Sequence, residues 1–564
     1  MKQSFNLVSE PWIKVSEIQT NQVTKVSLLE LFARAGDFRE LAGDMRAQDL
    51  AILRFLLAIL TTVYSRFDAN DEMYEWLERR DDGWALDEDI DVLDIQKDFL
   101  KTWKRIYKSK GFTSPLFDYL KENEDSFDLL SKENPFYQVT ESVYDSFVPA
   151  NKKVSLGKGT VSVKQINRLI SESNNSPSVF SPKTSSSKEK LTLDEFSRWL
   201  ISYQNFTGVT DKTRINAKEK YHFSSGWLYS INPVLAKGSN MFETLMLNLV
   251  LDPKNEKEVL QRPVWEFPNM KEYINERMKG QTPSNIAELY TVWSRMLHVK
   301  WDEKQQPIIF TAGLSKNDGT DMFVEPMTTW KYDPKEAHYR PATKWIKSLG
   351  KSMWRNFGQY VQVESSDDVH EPGIVKWLRT LQDEDYLPEG MLLNLETVGL
   401  VSDGNTTSQS PAAEVYDNLR IEADVLFDEN AERFWPGRIE GTIKVTQKVG
   451  DDFWSFARNL GELRGLDKDG ASNFAGSLSS KFYDSLNKPF NDWLANLRVG
   501  QEPDEEINMW KKQLRLLALD AGRELVQAAS PRDISGVRSD DGKTVINIFV
   551  LYNKLERFVY KDLK

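Results

Sequence analysis

Cysteine is absent from all 564 residues. Its absence excludes disulfides, thiolate catalysis and any zinc site built on cysteine, and it suits a reducing, cytoplasmic setting. Histidine is almost as scarce. His222, His298, His338 and His370 are scattered, no two stand four apart, and His370-Glu371 lacks the second histidine of a zinc protease. No metal and no cofactor is expected on these grounds. Also missing are a Gly-x-Ser-x-Gly elbow, a Walker phosphate loop and a Rossmann glycine fingerprint. Basic residues are outnumbered, 73 to 85, for a net charge of −12. That argues against indiscriminate binding to nucleic acid or to an anionic membrane, while leaving room for a local basic patch. Long apolar runs are lacking too. The amino end, MKQSFNLVSEPWIKV, has no signal-peptide core. The most apolar stretch, Leu50–Val63, is interrupted by Arg54 and flanked by charge, which predicts a buried core helix and no membrane span.

What is present is core material. Hydrophobic residues make up 40% and there are 17 tryptophans, enough for the two to four domains that the length suggests. Phe5–Val15 reads as a strand, a turn and a second strand edge. Val26–Ala35 reads as a helix capped by Ser27, with Glu30 in the capping-box position. Helices are expected over 44–64, Phe99–Tyr107 (Trp103 and Ile106 on one face), Leu191–Asn205 and Met241–Leu251. Asn134–Val139 reads as a turn into a strand, and Ala287–Trp301 as a helix passing into strands toward Pro307–Thr311. The last 140 residues or so carry four apolar repeats of helical spacing: Ile439 to Leu463, Leu478 to Leu497 with Pro489 as a kink or break, Ile507 to Leu525, and Ile548 to Phe558. Four amphipathic helices predict a four-helix bundle.

Four stretches stand apart from this patterning. Residues 403–410, DGNTTSQS, within Gly399–Asn418, offer hydroxyls and amides with one acid and no base. They suit a solvated loop or a turn-rich finger presented to a partner, with helical patterning resuming afterwards. Ser171–Lys190 is Ser/Asn/Pro/Lys-rich around the single aromatic Phe180, and reads as an unstructured insertion or a docking segment. Phe206–Asn216 sets a Gly208 turn beside Lys212 and Arg214. Such a turn allows phosphate approach but matches no phosphate-loop motif. Lys331–Arg355 holds seven bases against two acids with Trp345 and Trp354 interleaved, a composition suited to a nucleic-acid backbone or to a solvated charged face. Tryptophan richness with adjacent acids such as Asp81-Asp82 and Asp367-Asp368 also allows a different class, a carbohydrate-active hydrolase, if two acids share one cleft.

An ordered set of segments gives these stretches a common reading. FNLVSEPWIKV, VSLLELFARAGDFREL, NPFYQV, LTLDEFSRWLISYQNFTG, LYTVWSRMLHV and VGLVSDGNTTSQ, in this order along nearly the whole chain, resemble the CasA family, the large subunit of the type I-E CRISPR surveillance complex Cascade. The resemblance implies an α+β architecture: a mixed α/β amino-terminal domain over 1–424 and a four-helix bundle over 425–564. It implies a function without catalysis. The subunit inspects double-stranded target DNA for a protospacer-adjacent motif, mainly from the minor groove. It helps open the duplex for the guide RNA and docks a helicase–nuclease. A glycine-rich loop of the family falls on Gly208–Asp211, where Val209, Thr210 and Asp211 stand in place of glycines, with Lys212 next. A minor-groove lysine falls on Lys344, with Lys347 as its rival. A polar wedge falls on Asn405, Thr406 and Thr407, with Gln409 two residues on. An aromatic that contacts the guide and neighbouring Cascade subunits falls on Phe180. The cysteine-rich metal insert of some relatives has no counterpart here. A scaffold subunit that touches no DNA is the alternative within this class.

Overall fold

The computed structural model describes the chain apart from residues 1–3, 81–82, 88, 171, 173–182, 209–212, 218–219, 344–349, 362, 364–368, 403–410 and 539–543, and apart from the side chains of 185, 186 and 402. The fold is α+β. One compact unit comprises Met1–Leu349, Asp367–Leu378 and Leu395–Asp417; the other comprises Gly350–Ser366, Arg379–Asn394 and Asn418–Lys564.

The first unit begins with an antiparallel sheet in which β1 (Ile13–Glu17) lies between β2 (Val23–Val26) and β3 (Phe38–Leu41). Helix α1 (Leu28–Ala33) starts where its capping residue predicts, with Ser27 Oγ accepting from Glu30 N at 3.1 Å. Helix α2 (Arg46–Tyr64) contains no glycine or proline, and seventeen of its nineteen residues are buried. By length and composition it could cross a membrane, yet its apolar window is 94% buried inside the fold. Phe55 explains how: its ring meets Trp12 at 6.0 Å and Trp265 at 5.4 Å, both edge-on. Arg54, the one charge in the apolar run, is also fully buried. Its two terminal nitrogens donate to the Glu325 carboxylate at 2.9 and 2.8 Å, and Tyr290 covers its guanidinium at 3.9 Å.

Helix α3 (Val92–Ser109) buries Phe99, Trp103 and Ile106 on one face, as its spacing predicts. Helix α4 (Leu193–Phe206) opens with a Thr192/Glu195 capping box and packs on α2. Its buried Arg198 donates to Trp12 O at 2.5 Å and to Asp194 at 3.0 Å, tying the helix to the segment leading into β1. Strand β4 (Val234–Lys237) precedes the antiparallel pair β5 (Arg295–Trp301) and β6 (Pro307–Gly313), in register from Arg295↔Gly313 to Trp301↔Pro307. Strands β7 (Leu392–Ser402) and β8 (Pro411–Glu422) join β4 in a sheet of order β8-β7-β4.

Three expectations fail here. Over 134–139 the expected turn forms, at Tyr137 with φ 55°, but the strand expected after it does not; Val139 N still bonds Leu297 O at 2.8 Å. Structure resumes after the polar stretch as strand β8, not as a helical repeat. In the stretch expected to lack structure, Ser185–Lys188 form a helical turn capped by Thr184.

The second unit contains the bundle: α5 (Trp435–Leu463), α6 (Lys468–Asn496), α7 (Pro503–Gln527) and α8 (Ile548–Asp562). Its core stacks Phe453 on Phe482 at 4.7 Å and sets Trp510 edge-on to Phe490 at 4.9 Å. Close helix approach depends on small residues: a Cβ at Gly450 would stand 2.1 Å from Tyr483 Oη. Helix α6 runs unbroken through Pro489. The buried face of α7 includes Trp510, Leu514, Ala518 and Gly522, while Leu517, Ala521 and Leu525 are only half-buried.

Candidate nucleic-acid interface

Gly208 follows the last turn of α4. Its carbonyl accepts from Arg295 Nη2 at 3.0 Å. Arg295 is fully buried and its other terminal nitrogen donates to Ser224 O at 2.6 Å and Ser294 O at 2.9 Å. Gln204 on α4 locks the backbone beneath it, accepting from Arg295 N at 3.0 Å and donating to Arg295 O at 3.0 Å. Gly226, at φ +75°, lies against the same helix end, where a Cβ would come within 2.4 Å of Asn205 O. The next described residue, Thr213, accepts at its carbonyl from Gly313 N at 3.0 Å. Arg214 then lies over Phe223 at 4.7 Å. Arg295 and Gly313 are cross-strand partners. Both ends of the 209–212 segment are therefore held by a single rung of the β5–β6 ladder.

The hairpin of β7 and β8 carries residues 403–410 between Ser402 and Pro411. Leu400 and Pro411 at its base line a pocket shared with Gly208, Phe206, Ile166 and Arg168. Ile166 and Arg168 lead into the 171–190 segment. The pocket holds about 40 Å³, room for a few waters and no nucleotide. Its meaning is the juxtaposition: described residues beside three stretches that the sequence sets apart line one pocket. The 173–182 portion is tied back at both ends. Lys188 pairs with Glu172, and its carbonyl accepts from Asn167 Nδ2 at 2.8 Å. Lys183 meets Glu195 at 2.7 Å. Burial works against charging Glu195, yet its bond from Lys183 holds the pKa below the ordinary value.

Of the predicted site residues, Gly208 lies at this junction. Thr210, Asp211, Lys212, Lys344, Lys347, Asn405, Thr406, Thr407, Gln409 and Phe180 lie outside the described residues, as does Trp345. Trp354 corrects the reading of the basic window. It is fully buried in the second unit, stacked on Phe490 at 4.3 Å, and its Nε1 donates to Asn487 at 2.9 Å. Arg355 likewise lies over Tyr483 at 3.5 Å. Trp354 is core and not an exposed nucleic-acid contact. In the same window Arg340 is ion-paired with Glu336 at 2.9 Å.

The sequence reading missed Arg295, which mounts the loop. It also missed Glu414 and Tyr416 at the hairpin base; the alternation Val415, Leu419, Ile421 was the available signal. For a hydrolase, Asp81-Asp82 and Asp367-Asp368 lie outside the described residues. A second cavity, of about 60 Å³, gathers Glu40, Asp49 and Glu396, but is too small for a sugar ring. Among the described residues, no group of three or more His, Asp or Glu is arranged to hold a metal ion.

Comparisons with known proteins agree with the fold. Residues 6–521 match the family model of CRISPR-associated protein Cse1. The CRISPR-associated protein CasA/Cse1 of Thermus thermophilus is 22% identical over 544 residues, covering 92% of each chain. The crystal structure of Thermobifida fusca Cse1 superposes with a TM-score of 0.76 at 21% identity, covering 99% of this chain and 98% of that one. A chain of a CRISPR RNA-guided surveillance complex superposes with a TM-score of 0.66 at 15% identity, covering 99% of each chain. The chain belongs to the CRISPR-associated Cse1 family.

Proposed function

We propose that this chain is the large subunit of a type I-E CRISPR RNA-guided surveillance complex, acting by binding and without catalysis. In the cytoplasm it joins guide RNA and the other Cascade subunits and reads a protospacer-adjacent motif in double-stranded DNA. It then helps open the duplex and recruits the helicase–nuclease. Residues 1–424 are assigned to motif reading and docking, and 425–564 to the bundle. Family membership supports the assembly, as does the likeness to a chain of a surveillance complex.

The observation that supports the DNA-reading role is that Gly208, Leu400 and Pro411, and Ile166 and Arg168, which adjoin the three stretches, line one pocket. In this reading Gly208 to Lys212 approach the backbone, and Lys344 or Lys347 enters the minor groove. Asn405, Thr406, Thr407 and Gln409 form the wedge, and Phe180 docks toward the guide. The minor groove separates A·T from G·C poorly, so its readers depend on shape and few hydrogen bonds. A polar wedge has to offset part of an unstacking cost of a few kcal/mol. Exchange of DNA pairing for guide pairing is then nearly balanced, so a local push decides the outcome. A net charge of −12 keeps non-specific, salt-sensitive affinity low.

The test is replacement of Asn405–Gln409 by a Gly/Ser run in the assembled complex. Permanganate footprinting of the target should show weakened opening with assembly intact. Unchanged opening removes the wedge from the account.

A further inference from the structure

Helix α2 is the most buried helix of the first unit, yet it has no side-chain cap of its own. Met45 occupies the N-cap position and makes no such bond. The first-turn amide of Ala47 instead donates to Glu414 Oε1 at 2.7 Å, from a residue 367 positions away on β8. The neighbouring Arg46 lies 5.0 Å from the Tyr416 ring and pairs with Glu40 at 2.9 Å. Tyr416 Oη reaches across the hairpin and donates to Glu396 Oε1 on β7 at 2.8 Å. Glu396 is 4% exposed, and Lys237 on β4 sits between it, at 3.6 Å, and Glu40. Thr397 adds a bond to Asn232 at 3.2 Å. Both strands of the hairpin are thus tied to the amino end of α2, to β3 and to β4 by ionic and hydrogen-bonding side chains.

We propose that Glu414, Tyr416 and Glu396 are positioning residues that clamp the strands flanking residues 403–410 onto the amino end of α2, and that duplex opening depends on this anchoring. The inference rests on the reading of that tip as the wedge. Only Pro411, Ala412 and Ala413 separate Glu414 from the tip, roughly 10 Å of strand. With these strands loose, load from the duplex moves them instead of parting base pairs. Burial pushes the Glu414 pKa up, and the bond from Ala47 N–H at the positive end of the helix offsets part of that cost. Glu414→Gln keeps an oxygen acceptor for Ala47 N–H, whereas Glu414→Ala removes it.

The experiment follows the rate of target opening by permanganate reactivity. It uses the full guide-RNA complex carrying Glu414→Ala, Glu414→Gln or Tyr416→Phe, with the Gly/Ser tip replacement alongside and assembly read by co-elution. Glu414→Ala and Tyr416→Phe should each slow opening roughly five- to tenfold, the equilibrium weight of one cap-type bond, with assembly unchanged. Glu414→Gln should open within about twofold of the parent, because it retains the acceptor. Parent-like opening by Glu414→Ala beside a slow tip replacement overturns the clamp and leaves the wedge standing. Loss of assembly in Glu414→Ala, or a Glu414→Gln as slow as Glu414→Ala, also overturns it. Parent-like opening by the tip replacement itself overturns the wedge reading, and the clamp with it.

Discussion

Arg295→Lys is the most informative single perturbation of the loop mount. The guanidinium spreads donors over Gly208 O, Ser224 O and Ser294 O from a fully buried position. An ammonium keeps the charge but lacks the planar fork, so it serves one of these directions and abandons the others. A hydrogen bond from a charged donor contributes about 1.5–3 kcal/mol, and a buried carbonyl left without its partner costs about 1–3 kcal/mol. Losing two of three should lower stability by about 3–5 kcal/mol, a large share of a typical total of about 5–15 kcal/mol. The bond to Gly208 O alone is worth about one to two decades in local opening. Peptide-resolved hydrogen exchange is the assay, because it reads that opening directly. Amides from Thr207 to Arg214 should exchange roughly 10- to 100-fold faster in Arg295→Lys, while those of α8 in the second unit stay at the parent rate. Exchange within about twofold of the parent across that segment would refute the claim that Arg295 holds the loop.

Other predictions test other parts of the account. Burial lifts the Asp49 carboxyl to about 7, despite the bond it accepts from Gly43 N at 2.8 Å. The folded chain therefore retains a proton that the unfolded chain releases near pH ~3.9. Stability falls by up to about 1.4 kcal/mol per pH unit between roughly pH 4 and pH 7 and levels off above. Asp49→Asn should flatten that slope and raise the urea midpoint at pH 8; an unchanged slope contradicts the assignment. Trp354→Ala should destabilise the bundle-containing unit by about 3–5 kcal/mol without changing the salt dependence of duplex binding, because the ring is core. Lys344→Ala should reduce the salt slope of duplex binding by about one, and an unchanged slope moves the role to Lys347. Phe180→Ala should release the chain from the assembled complex, seen as lost co-elution.

The parts legible in sequence were those set by local periodicity. Helix spacing gave α1 to α4 and the bundle, and the Ser27 and Thr192 starts follow from capping chemistry. Errors came where a single residue overrode its neighbours. Tyr137 turns the chain through a left-handed conformation where a strand was expected to follow. Trp354 looked like an aromatic among bases but answers to Phe490 and Asn487, more than 130 residues away. The functional scaffold was least visible because its bonds are long-range. Arg295 meets Gly208 across 87 positions, and Ala47 meets Glu414 across 367. Arg54 belongs with them: a cation inside an apolar helix requires a buried anion, and Glu325 supplies it from 271 positions away.

The central claim is that this chain reads the flank of a target for an RNA-guided complex. Its most direct test is duplex binding by the guide-RNA complex assembled with and without the chain, at one fixed salt concentration, on targets with randomised flanking bases. The account predicts that flank-dependent binding disappears when the chain is omitted and returns when it is added back. Flank preference that persists without the chain would contradict the claim and assign motif reading to another subunit.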